Sequence, residues 1–375
     1  MMTLTFEQGP IRPPSEANSL LIRLTRNCPW NRCAFCNAYK GTTFSVRTVE
    51  DIKKDIDTIA EMGRLIAQVS RGDGAGKMPS ELYQANEYQV YHIADWLAHG
   101  GKTVFLQDGN SILMKTADLI EILEYLKKKL PSVERITSYA RSSSLIRKSV
   151  DELTQLKEVG ISRLHVGLES GCDEVLKFMD KGVTAEQHID AGKRVKEAGI
   201  SLSEYVLLGL GGRKWAREHP FETARVLNAI NPDYIRLRTL AIVKNTPLYT
   251  KMQQGEWEEQ PDEEIVKEEK ILIENLDGIE SRLLSDHSMN LLGEINGKLP
   301  GDKPAMLKVI DRFLALPQAE KENFILGKRW GLYNRLNDLQ DPKRHERVEN
   351  TLNELKSQGL LEATIANLKY QMVRV

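Results

Sequence analysis

Between Thr48 and Gln68 the apolar residues Val49, Ile52, Ile56, Ile59 and Met62 recur at gaps of three and four. That spacing predicts one buried helix face, with Thr48 as the N-cap. Upstream, Leu20-Leu-Ile-Arg-Leu24 reads as a short strand, preceded by the stiff, proline-rich entry Gly9-Pro10-Ile-Arg-Pro13-Pro14. A second helix is expected over Leu82 to Leu97. From Thr103 the pattern alternates. Strands are predicted at Thr103–Gln107, Glu134–Tyr139, Arg163–Leu168, Ser201–Leu208 and Tyr234–Leu240. Between them fall helices at Thr116–Leu130, Ser144–Val159, Asp173–Met179, Thr184–Gly199 and Ala216–Ile230, several closed by a glycine.

Counting the first, six short strands are separated by helical stretches, which implies a parallel sheet with helices outside it. After Gly255 the rhythm changes. Asp262–Leu276 is a charged amphipathic helix, and Glu280–Leu284 is a candidate seventh strand leading into Ser285-Asp286-His287. The remainder is mostly helical, with one or two surface helices over Arg344–Leu368. The expected organisation is an extended segment over residues 1–18, a core over 19–255 and a helical extension over 256–375.

Composition narrows the class without identifying it. Hydrophobic residues make up 41% and charged residues 28% of 375, ordinary for a soluble globular protein. A formal net charge of −1 offers no global field for nucleic acid or an anionic membrane. No apolar run approaches the roughly 20 residues that span a bilayer. Nor does the N-terminus carry a charged region followed by an apolar one, so the expected location is cytoplasmic.

Three of the four cysteines fall within nine residues, in Asn27-Cys28-Pro-Trp-Asn-Arg-Cys33-Ala-Phe35-Cys36. Thiolates suit soft metals and iron–sulfur clusters. A closed structural zinc site takes four ligands, whereas three cysteines on a four-iron cluster leave one iron open. A zinc site completed by Cys172 or a distant histidine is the competing reading.

The stretch resembles the cluster loop of the radical S-adenosylmethionine (radical SAM) superfamily, with Phe35 as the aromatic before the last cysteine. The spacing Cys-x4-Cys-x2-Cys is one residue longer than the commonest family form. Further similarity, to the oxygen-independent coproporphyrinogen oxidase-like and Elp3/MiaB-type branches, runs over about residues 19–250. The resemblance implies an α/β fold, a partial (β/α)6 TIM-like barrel, whose chemistry gathers at the strand C-termini. It also implies one [4Fe–4S] cluster on Cys28, Cys33 and Cys36, and bound SAM.

By the same resemblance, Gln107-Asp108-Gly109-Asn110 stands where the family holds the SAM amino group, with Asp108 or Asn110 as acceptor. Arg141 would clamp the SAM carboxylate. Gly167-Leu-Glu169-Ser170-Gly171 would bring Glu169 and Ser170 to the ribose or methionine end, and Ile242 would pack on the adenine. Cys172, at a helix start, is not assigned to the cluster. Asp286 and His287 form a candidate acid–base pair at the end of the seventh strand, against the plainer alternative of a helix cap beside a surface histidine.

Other motifs fail. Gly72-Asp-Gly-Ala-Gly76-Lys77 lacks the first glycine and the Ser or Thr of a phosphate loop. It reads as a flexible loop and, within Ser70–Leu82, as a candidate lid over the open side of the barrel. The preferred cover is Glu280–Asn290, anchored by Leu283 and Leu284, a rigid wall that brings Asp286 and His287 to the opening. Gly209-Leu-Gly211-Gly212 has Lys214 where a dinucleotide fingerprint needs glycine. A single cysteine trio argues against a second cluster, and 27 residues before Cys28 are too few for a cobalamin domain.

The expected function is therefore reductive cleavage of SAM to methionine and a 5′-deoxyadenosyl radical, which abstracts hydrogen from an unidentified substrate. That substrate is expected to be a small molecule sooner than a macromolecule. The electron would come from a ferredoxin or flavodoxin. The rival classes are a non-catalytic iron–sulfur or zinc sensor, and a haem or cofactor carrier on the same fold.

Overall fold

The computed structural model describes residues 4–71 and 79–372. The glycine-rich stretch proposed as a lid lies mostly outside them. The chain forms two compact units that interleave along the sequence: residues 1–31, 38–166 and 193–202 in the first, and 32–37, 167–192 and 203–375 in the second.

The first unit is built on β1 (Leu20–Arg23), β2 (Thr103–Gln107), β3 (Arg135–Ala140) and β4 (Ile161–Glu169), the last of which ends in the second unit. Each strand runs parallel to the next, with Leu20 opposite Val104, Thr103 opposite Arg135 and Tyr139 opposite His165. Helices α1 (Val49–Arg71), α2 (Glu87–Ala98), α3 (Thr116–Lys129) and α4 (Val150–Glu158) alternate with them. On α1 the stripe Ile52, Ile56, Ile59 and Met62 is fully buried, as its period requires, and Thr48 caps the helix by accepting from Asp51 N at 3.1 Å.

The helix expected over Ser144–Val159 is in fact two. A single turn, Ser142–Leu145, precedes α4, because Ser149 and Glu152 form a reciprocal capping box that starts a new helix at Val150. The helix expected over Leu82–Leu97 is likewise divided, into Ser80–Tyr83 and an α2 capped by Asn86.

The second unit carries α5 (Asp173–Phe178) and most of α6 (Ala185–Glu197). It then forms β5 (Ser201–Leu208, from Ser203 onward), α7 (Glu218–Ile230), β6 (Tyr234–Thr239), α8 (Pro247–Gln253) and α9 (Asp262–Asn275). The seventh strand is present as β7 (Arg282–Leu284), parallel to β6. It turns back into an antiparallel β8 (Asn296–Lys298) that the hydrophobic pattern did not indicate, since Asn296-Gly-Lys buries only its glycine. Four further helices follow, Lys303–Leu314, Gln318–Arg329, Pro342–Ser357 and Leu361–Met372. No described helix is long and apolar enough to cross a membrane.

The proline-rich N-terminal segment is fastened at Gly9 and Ile11, whose backbone meets the Gln107 amide at 2.8–3.1 Å, and at Glu16. Glu16 is fully buried and accepts from Ser19 Oγ at 2.7 Å and from Arg135, with His165 Nε2 at 3.3 Å. Burial alone would raise its pKa. The hydrogen bonds from His165 and Ser19 and the Arg135 charge outweigh that and hold it at about 2. Because the folded value is depressed, this stabilisation is complete above the ordinary carboxyl range and is lost as pH falls toward about 2. Glu16→Gln should lower the unfolding free energy at neutral pH by roughly 3 kcal/mol and flatten the acid limb of a urea-stability profile. An unchanged midpoint at pH 7 would remove Glu16 from the contacts that hold the segment.

Candidate functional site

The chain enters the cysteine loop from β1 under tight restraint. Asp108, at the C-terminal end of β2, is fully buried. Arg23 donates to it from Nη2 at 2.6 Å and Nε at 3.0 Å, Asn27 N donates at 3.1 Å, and the Tyr39 hydroxyl donates from the far side of the loop. Burial, with the Asp108 carboxylate second, drives the Tyr39 pKa far up, so the phenol keeps its proton.

Asn27 and Asn31 both have positive φ, 68° and 46°, the left-handed region that asparagine tolerates. Their side chains pin the turn: Asn27 Nδ2 donates to Thr43 O at 2.6 Å and Asn31 Nδ2 to Tyr39 O at 2.6 Å. Between them lies Cys28. A Cβ added at Gly109 would sit 3.1 Å from the Tyr39 ring and 3.6 Å from Cys28 Cβ, so the small residue lets the β2 turn lie against the loop.

Neither polar neighbour of Gly109 is available in the way the sequence suggested. Asp108 is consumed by Arg23, Asn27 and Tyr39. Asn110, also fully buried, donates to Ser144 Oγ at 2.7 Å and accepts from Arg141 N at 3.1 Å. What the turn offers is the half-buried backbone around Gly109. Arg141 follows β3 and lies with its guanidinium 5.6 Å from the Trp30 ring centre, within cation–π range.

The second part of the loop belongs to the second unit. Ala34 N donates to Met179 O at 2.8 Å, Leu248 N donates to Ala34 O at 3.0 Å, and Arg32 pairs with Asp180 at 2.9 Å. Cys33 is buried and Cys36 half-buried. Phe35 and Ile242 both pack on an apolar cluster of Ala34, Cys172, Val175, Met179, Leu240 and Leu248.

Above this cluster β4 ends in Glu169, whose φ of 64° is uncommon for a glutamate and marks a position held by its surroundings. Its carboxylate accepts from Lys181 Nζ at 3.2 Å, and Lys181 lies 5.9 Å from the Phe35 ring centre. Gly167 makes room for that pair, because a Cβ there would come within 2.3 Å of Glu169 Oε1 and 3.1 Å of Lys181 Nζ. Glu204 on β5 is buried nearby. Desolvation raises its pKa well above the usual range, Lys181 opposes that and Glu169 adds to it. Lys181 opens the Lys181-Gly182-Val-Thr184 part of the string that resembles the family but was given no role there, and Glu204 did not stand out, although a glutamate inside an apolar strand is a signal in itself.

Ser170 points inward. It is fully buried, within 2.8 Å of His219 Nδ1, and accepts from Cys172 N at 3.0 Å. It shapes the turn after β4 and presents no surface to a ligand. Cys172 is 1% exposed, and burial pushes its thiol up to about 11, contrary to a thiol activated by a helix start. Asp286 follows β7 as expected but binds Arg236 at 2.7 Å and Arg238 at 3.3 Å. His287 accepts from Met289 N at 3.3 Å and is held down to about 4, first by burial and then by Arg238. A carboxylate already engaged by two guanidinium groups is a counter-ion, so the acid–base pairing with His287 is not formed.

The donor set of the loop is chemically suited to a cluster: three thiols and no disulfide. Among the described residues no three His, Cys, Asp or Glu side chains are gathered in a geometry that holds a metal ion.

A family model for the radical SAM superfamily matches residues 22–225, more than half of the chain. The chain therefore belongs to the radical SAM superfamily and has its α/β fold. Members of that superfamily use a [4Fe–4S] cluster and SAM. Among curated relatives, the tRNA uridine(34) acetyltransferase of Methanocaldococcus jannaschii is 24% identical over 117 residues, 31% of this chain and 22% of that protein. The heme chaperone HemW of Bacillus subtilis is 22% identical over 178 residues, 47% and 46% of the two chains. The tRNA-2-methylthio-N(6)-dimethylallyladenosine synthase of Anoxybacillus flavithermus is 27% identical over 156 residues, 38% and 27%. The chain thus spans less than half the length of these relatives. Of solved structures, the Elp3 of Methanocaldococcus infernus is similar at a TM-score of 0.43 and 15% identity, covering 60% of this chain and 58% of that one.

Asp108→Asn should lower the unfolding free energy by about 1.5–3 kcal/mol, because it removes the charged acceptor that Arg23, Asn27 N and Tyr39 share, while Arg23 keeps its ion pair with Glu7 at 3.1 Å. Urea unfolding at pH 7 measures this. An unchanged midpoint would mean that the Asp108 charge is not what anchors the loop.

Proposed function

We propose that the protein is a radical SAM enzyme whose Cys28, Cys33 and Cys36 thiolates hold one [4Fe–4S] cluster and leave one iron to SAM. The observation that carries the reading is the three-cysteine loop, anchored at both ends and free of disulfides, inside the stretch that matches the family. When bound, the cluster and SAM supply one-electron cleavage of SAM to methionine and a 5′-deoxyadenosyl radical that takes a hydrogen atom from the substrate. The electron comes from a ferredoxin or flavodoxin.

This chain's residues bind and orient. Glu169, steadied by Lys181, accepts hydrogen bonds from the ribose or amino end of SAM, and Arg141 engages its carboxylate. The backbone around Gly109 takes the place assigned by sequence to the Asp108 and Asn110 side chains. Ile242 and Phe35 give an apolar floor that keeps water from the reacting end. The relatives that modify tRNA make a macromolecular substrate as admissible as a small one.

Anaerobic reconstitution should give about four irons per chain. Cys28→Ala, Cys33→Ala and Cys36→Ala should each abolish that, and Cys172→Ala should not. Dithionite with SAM should then yield 5′-deoxyadenosine. Stoichiometric zinc in place of iron would sink the reading. Haem binding without 5′-deoxyadenosine would move the protein to a carrier role. Glu169→Gln and Arg141→Gln should each weaken SAM binding by about one to two decades, the worth of a charge-assisted hydrogen bond, with iron content unchanged. Calorimetry that shows full affinity in both would misplace the SAM contacts.

A further inference from the structure

β6 carries Arg236 and Arg238 two residues apart, and therefore on one face of the sheet. In the parallel register Tyr205 lies opposite Arg236, and Leu207 opposite Arg238. The Tyr205 ring lies beneath the Arg238 guanidinium, 5.1 Å from centre to centre. Both guanidinium groups converge on one carboxylate, with Arg236 Nη1 at 2.7 Å and Arg238 Nη1 at 3.3 Å from Asp286. The arginine side chains are only 5% and 12% exposed, whereas Asp286 is 38% exposed.

Two buried cations thus share a single half-exposed anion. His287 adds no second negative charge and, being neutral near pH 7, no third positive one. Two buried donors remain without a partner, Arg236 Nε and Arg238 Nη2. Such an arrangement is poor for stability. A buried charged donor left unsatisfied carries a full desolvation cost, and well-packed apolar residues in place of buried ion pairs are often neutral or stabilising. The pair therefore calls for a second acceptor, planar or tetrahedral, that meets both forks.

We propose that Arg236 and Arg238 form a binding site for an oxyanion, a carboxylate or phosphate group of the substrate, with Asp286 as the internal counter-ion that the incoming group displaces. Arginine matches such groups with paired N–H donors, and the exposed Asp286 side is the way in. Leu207, on the same strand face, packs on the apolar cluster shared with Phe35 and Ile242, so the site leads toward the residues assigned to the cluster and SAM. Only the identification of the ligand as substrate rests on the proposed function. The anion site stands on the arginines themselves.

The test is calorimetry on the anaerobically reconstituted protein, titrated with inorganic phosphate and separately with acetate at constant ionic strength. Asp286→Asn removes the competing carboxylate and should tighten binding of one anion per chain by about tenfold. Arg238→Gln in the Asp286→Asn background should return affinity to the wild-type level or below. Arg238 is the less buried arginine, and a urea-unfolding curve confirms that the double variant is folded. Tightening seen with phosphate alone assigns a phosphorylated substrate, and tightening with acetate a carboxylate. Equal affinity in wild type and Asp286→Asn, or no loss on removing Arg238, overturns the site. Neither result depends on iron content or on SAM cleavage, so the site and the proposed function fail separately.

Discussion

A buried carboxylate fixes where the cysteine loop begins. Asp108 sits at the end of β2 with no exposure, and its charge is held by the Arg23 guanidinium. Its oxygens also gather Asn27 N, one residue before Cys28, and the hydroxyl of Tyr39, three residues after Cys36. An isolated carboxylate in such a place would be too costly to keep ionised. Paired with arginine and given two further donors, it becomes a rigid post from which the loop departs. Removing the post leaves Arg23 to Glu7 alone and frees the backbone that positions the first thiol.

The same logic recurs after β4. Glu169 holds a left-handed backbone and a lysine partner over a glycine that alone leaves them space. Polar groups beside an apolar floor of Phe35 and Ile242 make a surface that can take an amphipathic ligand such as SAM. At these two strand ends the organisation is that of a scaffold whose charges, Asp108 and Glu169, are already paired with a cation.

Much of this was legible in the chain. Strands Thr103–Gln107 and Ser201–Leu208 appear with the bounds their composition implies, since each is a short run of apolar and β-branched residues between helices. The cysteine trio, the string after β4 and the strand before Asp286 were all visible as patterns. What was hidden depends on long-range pairing. Asp108 looked like a ligand because an Asp-Gly-Asn turn resembles one, but Arg23 and Tyr39 lie 85 and 69 residues away in sequence and consume it. By resemblance Ser170 belonged with Glu169 at the ribose or methionine end of SAM, yet His219 on α7 receives it in the interior. Arg236 and Arg238 were read only as part of a strand, and their convergence on Asp286 needs β7 to pair with β6.

The central claim is that the loop's three thiolates leave one iron of a [4Fe–4S] cluster for SAM. Electron paramagnetic resonance of the reconstituted, dithionite-reduced protein addresses it most directly. A reduced-cluster signal whose g values shift on addition of SAM is the expected result, because SAM ligation changes the environment of the open iron. A cluster signal that is identical with and without saturating SAM would contradict it.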